Sequence, residues 1–464
     1  MSRVRFDYTH VMSDLIGPEH GVTDSDLVVE APHAGSALKS ILARREEDLR
    51  WLDLPYQTAL HDEILEYAAS VKGRYKNIVV LGIGGSALGM IALHDALNGP
   101  FHNLNPPEGT PRLFVLDNID AELIAGFLEN FDVSETLFNV ISKSGGTAET
   151  MSQFLIFRQA VIDKLGEGAL KDHLVITTDE KNGVLREIVG REGYRSFIVP
   201  DGVGGRFSVL SAVGLVPAAL VGIDIKALCA GAAEMDERCR STDILQNPAL
   251  LHSSIQTLMH RDKDKNISVM FSYSHRLKSM ADWYAQLLAE SIGKRKSKEG
   301  KDIYTGPTPV RAVGVTDQHS QVQLYVEGTE DKWFTFLSVD EPDTNVAIPK
   351  AFDDLEGVSY LGERTLNELF QAERDGTRIA LTEAERPNAT IHFDKVDAQS
   401  IGQLIFMLEL SVAVMGEHYK VDAFDQPGVE AGKIAAYALM GRDGYGERRS
   451  EIEAAKGEAK TREI

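Results

Sequence analysis

The feature that most constrains the fold of this chain is a repeated alternation of short apolar runs with helical patterns. It begins near residue 77, continues to residue 198 and returns between residues 266 and 417. Alternation of this kind is typical of parallel sheets whose strands are connected by helices. It predicts strands at residues 77–81, 112–117, 137–141, 174–178 and 196–199, and in the second region at residues 267–273, 310–315, 333–338 and 390–393. We therefore expect an α/β protein with two doubly wound parallel sheets.

The segments outside these strands are predicted to be mainly helical. Helical patterns occupy residues 37–71, 210–259, 276–292, 317–327 and 398–416. The predicted units are a helical N-terminal extension (1–72), a first domain (73–225), a second domain with its helical connection (226–420), and a C-terminal helix with a charged tail (421–464).

The composition is that of a soluble globular protein with a marked acidic charge. The 464 residues are 43% hydrophobic and 25% charged, with a net charge of −22, which argues against nucleic acid as the main partner. No apolar run approaches the roughly 20 residues that span a bilayer, and residues 1–7 lack the apolar segment of a signal peptide. We therefore expect a cytoplasmic protein without membrane contact. Cys229 and Cys239 are expected to be buried or idle thiols rather than a disulfide.

Residues 142–147, with the sequence Ser-Lys-Ser-Gly-Gly-Thr, connect a predicted strand to a predicted helix. The free N–H groups of a helix N-terminus and the positive end of its dipole favour a phosphate at such a loop, and glycines let the backbone approach it. Because the chain as a whole is strongly acidic, a bound anion depends on local geometry of this kind. The loop therefore predicts a phosphate site.

A second glycine-rich turn, residues 82–87, also follows a predicted strand and opens a helix. Its sequence Gly-Ile-Gly-Gly-Ser-Ala is close to the dinucleotide fingerprint, but Asp117, the acidic residue that could bind a ribose, comes about ten residues too late for it. A backbone contact to another polar ligand is favoured. A dinucleotide site and a purely structural turn are the alternatives.

A third glycine-rich turn, residues 201–208, places Arg206 at the mouth of the same predicted cleft. An arginine is always charged and can stabilise a developing oxyanion there. A surface or salt-bridged arginine is the alternative.

Glu290 shares a predicted helical face with Trp283 and Leu287. A partly buried carboxylate on such an apolar face is suited to act as a general base. A capping or surface glutamate is the alternative.

Two further side chains could move protons or hold a hydroxyl group. His319 follows a predicted strand at a loop-to-helix junction and can exchange protons near neutral pH, although a histidine satisfied by packing is the alternative. Lys433 lies within the first two turns of a helix that a Pro-Gly turn introduces, where a cation opposes the helix dipole.

The basic run at residues 294–301 is predicted to be an exposed loop, with attraction of an anionic substrate as the alternative. The sequence holds no His-x-His, His-Glu-x-x-His or Cys-x-x-Cys motif, so we expect no metal and no cofactor.

Taken together, these segments resemble the glucose-6-phosphate isomerase (phosphoglucose isomerase) family. The similar strings occur in the family's order at residues 82–86, 142–147, 202–214, 289–294, 317–320 and 424–433. The Gly-Gly-Arg-Phe-Ser and Asp-Gln-x-Gly-Val-Glu-x-x-Lys strings are highly specific. The resemblance implies two sugar-isomerase (SIS) domains, a homodimer with its active sites at the subunit interface, and interconversion of glucose 6-phosphate and fructose 6-phosphate without a cofactor.

The resemblance also implies which residues bind the sugar phosphate. The phosphate is expected on Ser142, Lys143, Ser144 and Thr147, and the sugar is expected beside Gly85, Ser86, Gly205 and Gln426.

The roles implied for the catalytic residues follow the same resemblance. His319 and Lys433 open the sugar ring, and Glu290 moves a proton between C2 and C1 through a cis-enediol(ate) that Arg206 stabilises. His319 is expected to reach the active site of the neighbouring subunit.

The chain departs from many relatives at two points. The phosphate loop reads Ser-Gly-Gly-Thr where they carry threonines, which leaves the hydroxyl contacts of Ser144 open, and Pro427 replaces an aromatic residue. These differences bear on tolerance of substrates such as mannose 6-phosphate but not on the reaction class. A non-catalytic sugar-phosphate sensor, a dinucleotide oxidoreductase and a glutamine-dependent glucosamine 6-phosphate synthase are the rival functions.

Overall fold

The computed structural model describes residues 3–458 and residue 462. In these residues the strands form two five-stranded sheets and a two-stranded ribbon. In chain order the strands are β1 (Val4–Asp7), β2 (Asn77–Leu81), β3 (Arg112–Leu116), β4 (Thr136–Ile141), β5 (Leu174–Asp179), β6 (Arg195–Val199), β7 (Ile267–Tyr273), β8 (Lys294–Lys296), β9 (Asp302–Thr305), β10 (Thr308–Val313), β11 (Lys332–Val339) and β12 (Asn388–Phe393).

The α-helices lie between the strands along the chain and continue beyond the last strand. In chain order they are α1 (Ser13–His20), α2 (Asp24–Ala43), α3 (Thr58–Val71), α4 (Leu88–Leu97), α5 (Ala121–Asn130), α6 (Ala148–Leu165), α7 (Leu170–His173), α8 (Val184–Glu192), α9 (Ala212–Leu220), α10 (Ile225–Arg238), α11 (Pro248–Asp262), α12 (Lys278–Ile292), α13 (Val322–Glu327), α14 (Glu356–Ser359), α15 (Leu366–Glu383), α16 (Ala398–His418), α17 (Glu430–Leu439) and α18 (Gly446–Glu458).

The first sheet has the strand order β3-β2-β4-β5-β6, and every neighbouring pair is parallel. Its strands β2, β4 and β5 are buried along their whole length, as expected for central strands that helices cover on both faces. All five predicted strands are present, so the predicted sheet is confirmed.

The second sheet has the order β1-β12-β11-β7-β10 and is parallel except for the antiparallel pair of β1 with β12. The order β10-β7-β11-β12 repeats the order β3-β2-β4-β5 of the first sheet, so the two halves share one architecture. Strand β1 is an element that the sequence did not predict. Its four residues pair with β12, nearly four hundred positions later in the chain, and Val4 lies opposite Phe393. A local sequence pattern does not reveal a pairing between such distant segments.

Helix α16 forms the centre of the largest hydrophobic core and packs against α2, α10, α11 and α12. The carboxylate of Asp397 caps its first turn by accepting a hydrogen bond from the backbone N–H of Ser400 at 2.8 Å. Among the described residues it is the one helix long and apolar enough to cross a membrane, with 21 residues and a mean hydropathy of 1.5. This apolar segment is longer than the sequence analysis expected. However, 89% of it is buried inside the protein, as in the core helix of a globular protein.

Three local predictions need correction or completion. The basic run at residues 294–301 is not a simple loop, because it opens the ribbon of β8 and β9 and begins with the buried residue Lys294. The predicted helix at residues 317–327 is divided into a 3₁₀ turn, Thr316–His319, and α13. The charged end of the chain is helical in α18, and residues 459–461, 463 and 464 lie outside the described residues. Cys229 and Cys239 are free and buried, as predicted.

Candidate active site

Three glycine-rich loops follow strands β2, β4 and β6 at one edge of the first sheet. The chain passes from β2 to β3 on one side and from β3 to β4 on the other, so the order reverses between β2 and β4. Ligands of parallel sheets bind beyond the carboxyl ends of the strands at such a reversal. The first two loops therefore flank the position in this sheet that best suits a ligand.

The loop after β4 gathers three hydroxyl groups in front of helix α6. Ser142 Oγ lies 2.9 Å from Thr147 Oγ1, and Ser144 Oγ lies 3.4 Å from the same atom. Thr147 precedes α6 but makes no capping hydrogen bond with its side chain. The hydroxyl groups are thus grouped at the N-terminus of an 18-residue helix, where an anion is favoured.

Close backbone contacts tie the three loops together. The ammonium of Lys143 donates to the carbonyl of Val203 at 2.8 Å, which joins the phosphate loop to the loop after β6. A Cβ atom on Gly85 would lie 2.3 Å from the carbonyl carbon of Gly205, so these loops can touch only because residue 85 is glycine. Half-buried Ser86 completes the 3₁₀ turn Gly84–Ser86 beside this contact.

Arg206 is 3% exposed, and each of its five N–H groups has an acceptor. Nε donates to Ser291 Oγ at 2.7 Å, and Nη1 donates to Gln426 Oε1 at 2.9 Å and to Glu290 Oε2 at 3.3 Å. Nη2 donates to the backbone carbonyls of Ala423 and Asp425. The guanidinium is therefore held on all sides and presents Nη1 to the carboxylate.

The charge of Arg206 persists in this buried position. Burial lowers the pKa of its guanidinium, while the nearby carboxylates of Glu290, Asp425 and Asp422 oppose that change. Because the pKa of arginine starts above 12, the group stays cationic at neutral pH.

Glu290 lies near the C-terminal end of α12, and its side chain is 32% exposed. Gln286, one helical turn earlier, donates from Nε2 to Glu290 Oε1 at 3.0 Å. The sequence pattern missed Gln286, although its i−4 spacing from Glu290 was a usable signal. The same amide approaches Gly84, since a Cβ atom there would lie 3.0 Å from Gln286 Nε2. The carboxylate is thereby fixed by one hydrogen bond to each of its oxygens.

His319 is exposed and lies far from Glu290 within one chain. The end of α12, the helix that carries Glu290, is next to the start of β10, because a Cβ atom on Gly306 would lie 2.8 Å from Gly293 Cα. His319 follows the other end of β10, in the turn Thr316–His319. The two ends of this six-residue strand are five residue steps apart, a separation of roughly 17 Å. The structure thus brings Arg206, Glu290 and Gln426 together but leaves His319 apart.

Lys433 lies on α17, a largely exposed helix. Its ammonium forms an ion pair with Glu430 Oε1 at 2.9 Å. Within residues 3–458 it has no hydrogen bond or ion pair to Arg206, Glu290 or Gln426. Lys433 is therefore close to Gln426 in sequence without a direct contact to the other predicted catalytic residues.

A family model described as "Phosphoglucose isomerase" matches residues 65–456 of the chain. The chain belongs to the phosphoglucose isomerase family. It is similar to two relatives named glucose-6-phosphate isomerase: the protein of Carboxydothermus hydrogenoformans, 45% identical over 98% of both chains, and that of Rubrobacter xylanophilus, 44% identical over 96% of this chain and 100% of the relative. The family predicted from the sequence is thus confirmed.

Solved structures of other proteins have the same fold. A hypothetical protein from Thermus thermophilus matches with a TM-score of 0.85 and 36% identity, covering 95% of this chain and 100% of that one. A glucose-6-phosphate isomerase from Chlamydia trachomatis matches with a TM-score of 0.75 and 23% identity, covering 92% of this chain and 81% of that one. The predicted fold class of a phosphoglucose isomerase, with two doubly wound sheets, is therefore confirmed.

Proposed function

We propose that this member of the phosphoglucose isomerase family interconverts glucose 6-phosphate and fructose 6-phosphate in the glycolytic and gluconeogenic metabolism of the cytoplasm. The observation that carries the proposal is the contact of Arg206 with both Glu290 and Gln426 beside the phosphate loop. A cation next to a carboxylate base is the arrangement that removal of a proton from a carbon beside a carbonyl group requires.

The phosphate of the substrate binds at residues 142–147. The hydroxyl groups of Ser142, Ser144 and Thr147 donate to its oxygens, together with the free N–H groups at the start of α6. Lys143 adds a positive charge at this edge while it holds the loop that carries Arg206. The sugar then extends over Gly85, Ser86 and Gly205, where the missing side chains of the glycines leave room for it.

Glu290 transfers the proton between C2 and C1. The aldehyde of the open-chain substrate makes the C2–H bond acidic, so the carboxylate can take this proton and leave a cis-enediolate. Arg206 Nη1 lies beside the carboxylate and stabilises the negative oxygen of that intermediate. Return of the same proton to C1, together with transfer of a proton from the C2 hydroxyl to the oxygen on C1, yields the ketose, and Gln426 helps to hold the hydroxyl groups in place.

Ring opening is assigned to His319 and Lys433, with His319 supplied by a second copy of the chain. The separation of roughly 17 Å between the two ends of β10 supports a role in trans. Exposed apolar side chains support a dimer: they occur at Val346, Phe352, Leu355, Val358, Tyr360 and Leu366, and again at Val429, Ile434, Leu439 and Met440. Surfaces of this kind mark sites of association. The second group lies on α17, the helix that carries Lys433, and on the residues next to it.

The proposal is tested by incubating the purified protein with fructose 6-phosphate in an excess of a divalent-metal chelator and measuring glucose 6-phosphate in quenched samples. We expect fructose 6-phosphate to be converted at the same rate with and without the chelator, and without added nicotinamide cofactor. Absence of conversion, with or without metal, would contradict the function and favour a sugar-phosphate sensor. Conversion that chelator abolishes would contradict the metal-free mechanism.

A further inference from the structure

The ribbon of β8 and β9 is attached to the segment that carries Gln426. Its first residue, Lys294, is 7% exposed, and its ammonium donates to Asp425 Oδ1 at 2.7 Å and to the backbone carbonyl of Asp425. Further along the ribbon, Lys298 donates from its backbone N–H to the carbonyl of Lys420 at 2.7 Å. The basic run is thus attached to residues 420–425 at two points.

The carbonyl oxygen of Asp425 is shared by two buried cations. It accepts hydrogen bonds from Arg206 Nη2 at 2.9 Å and from Lys294 Nζ. The next residue, Gln426, accepts from Arg206 Nη1, the same nitrogen that contacts Glu290. A displacement of Asp425 would therefore be passed on to the part of Arg206 that faces the base.

Two cations at one carbonyl repel each other, and the Asp425 carboxylate offsets that repulsion. Burial holds the pKa of the Lys294 ammonium below its usual value, and the charge of Arg206 adds to this, although the hydrogen bond and charge interaction with Asp425 oppose it. Without Lys294, the Asp425 carboxylate would lose its partner, and Arg206 alone of the two cations would hold the carbonyl of Asp425.

We propose that Lys294 is a positioning residue for the isomerase reaction, which holds Asp425 so that Arg206 Nη1 faces the developing enediolate. This inference rests on the proposed function of the site. A positioning role differs from a merely structural one because loss of Lys294 would weaken stabilisation of the charged intermediate more than binding of the ground-state substrate.

The test compares Lys294→Met with Lys296→Met in the full-length protein. Lys296 is the matched control, since it is an exposed lysine two positions along the same strand. We expect Lys294→Met to lower kcat by about 10- to 100-fold with a smaller change in KM, because a small misplacement of a group that acts on the transition state has that effect. Lys296→Met is expected to remain near the wild-type values.

Two phosphate-bearing inhibitors separate positioning from structure. A five-carbon aldonate phosphate carries a carboxylate where the enediolate would be, whereas glucitol 6-phosphate is uncharged at C1 and C2. Lys294→Met is expected to weaken binding of the aldonate phosphate by about the same factor as kcat, and to leave the affinity for glucitol 6-phosphate nearly unchanged. An equal loss for both inhibitors, or no loss for either, would overturn the proposal.

Two further variants keep the proposal testable if Lys294→Met does not fold. Lys294→Arg keeps the charge and a donor and is expected to recover most of the lost kcat, so failure to recover any of it would contradict the proposal. If Lys294→Met does not fold, Asp425→Asn removes the carboxylate from the other side and is expected to weaken the aldonate phosphate selectively. Failure of the proposed function is recognised separately, because the wild-type protein would then lack turnover while inhibitor binding could still be compared.

Discussion

Arg206 Nη1 lies 3.3 Å from Glu290 Oε2, and the two residues lie in segments that follow strands of different sheets. Arg206 belongs to the loop after β6 in the first sheet, and Glu290 belongs to α12, which follows β7 in the second. Because five acceptors already hold the guanidinium, its positive charge is fixed in place before negative charge develops next to the carboxylate. Preorganisation of this kind is usually the largest single contribution to an enzyme's rate.

Glu290→Gln is expected to lower kcat by at least about 10²–10⁴-fold, since the amide keeps the shape but cannot accept the C2 proton. Binding of glucitol 6-phosphate should be nearly unchanged. Steady-state kinetics and calorimetric titration measure the two effects, and Glu299→Gln, at an exposed position of the nearby ribbon, is the control. Near wild-type turnover in Glu290→Gln would remove this residue from its proposed role.

Ser144→Ala combined with Thr147→Ala is expected mainly to raise KM. The contacts to phosphate persist through the reaction, so their loss affects the ground state and the transition state equally. Each hydrogen bond to a charged group is worth about 1.5–3 kcal/mol, so KM should rise about tenfold or more for each lost bond and about 100-fold or more for the pair. Ser152→Ala, on the exposed side of α6, provides the control. An unchanged KM for the sugar phosphate would place the phosphate elsewhere.

A mixture of His319→Ala and Glu290→Gln homodimers is expected to regain activity after subunit exchange. If His319 acts in trans, one site of each heterodimer has both defects and the other draws both residues from intact copies. Activity should then reach up to about half of the wild-type value per heterodimer. Verified exchange without recovery would place His319 in cis.

Glu30→Gln is expected to reduce the free energy of unfolding at neutral pH but not in strong acid. Burial alone raises the pKa of Glu30, but hydrogen bonds and charge interactions with His418 and Arg261 lower it to about 2. The carboxyl group of Glu30 thus has a lower pKa in the folded protein than in the unfolded chain. Its stabilising effect is therefore present above about pH 4.5 and is lost as the pH falls toward 2.

At pH 7 this contribution is on the order of 3 kcal/mol, because one pKa unit corresponds to about 1.4 kcal/mol. Urea unfolding of the wild type and Glu30→Gln at pH 7, 4 and 3 measures it, with Glu46→Gln at an exposed position as the control. A stability difference that stays the same at all three pH values would contradict this account of Glu30.

The parts of the fold that local patterns encode could be predicted from the sequence. Buried parallel strands such as β2 and β4 are continuous apolar runs, and the loops after them stand out because clusters of glycine and serine typically bound a strand. These signals predicted the two sheets and the glycine-rich loop at residues 142–147. Strand β1 was not predicted because its pairing depends on β12, which lies far away in the sequence.

The sequence by itself determined the fold class, the family and the chemical type of each candidate site residue. Only the tertiary structure decided which of them meet. It joined Arg206 to Glu290 and Gln426, added Gln286 and Lys294, and separated His319 by the length of β10. The physical reason is that a strand or a loop is specified by neighbouring residues, whereas a contact between two sheets depends on how their buried faces pack together.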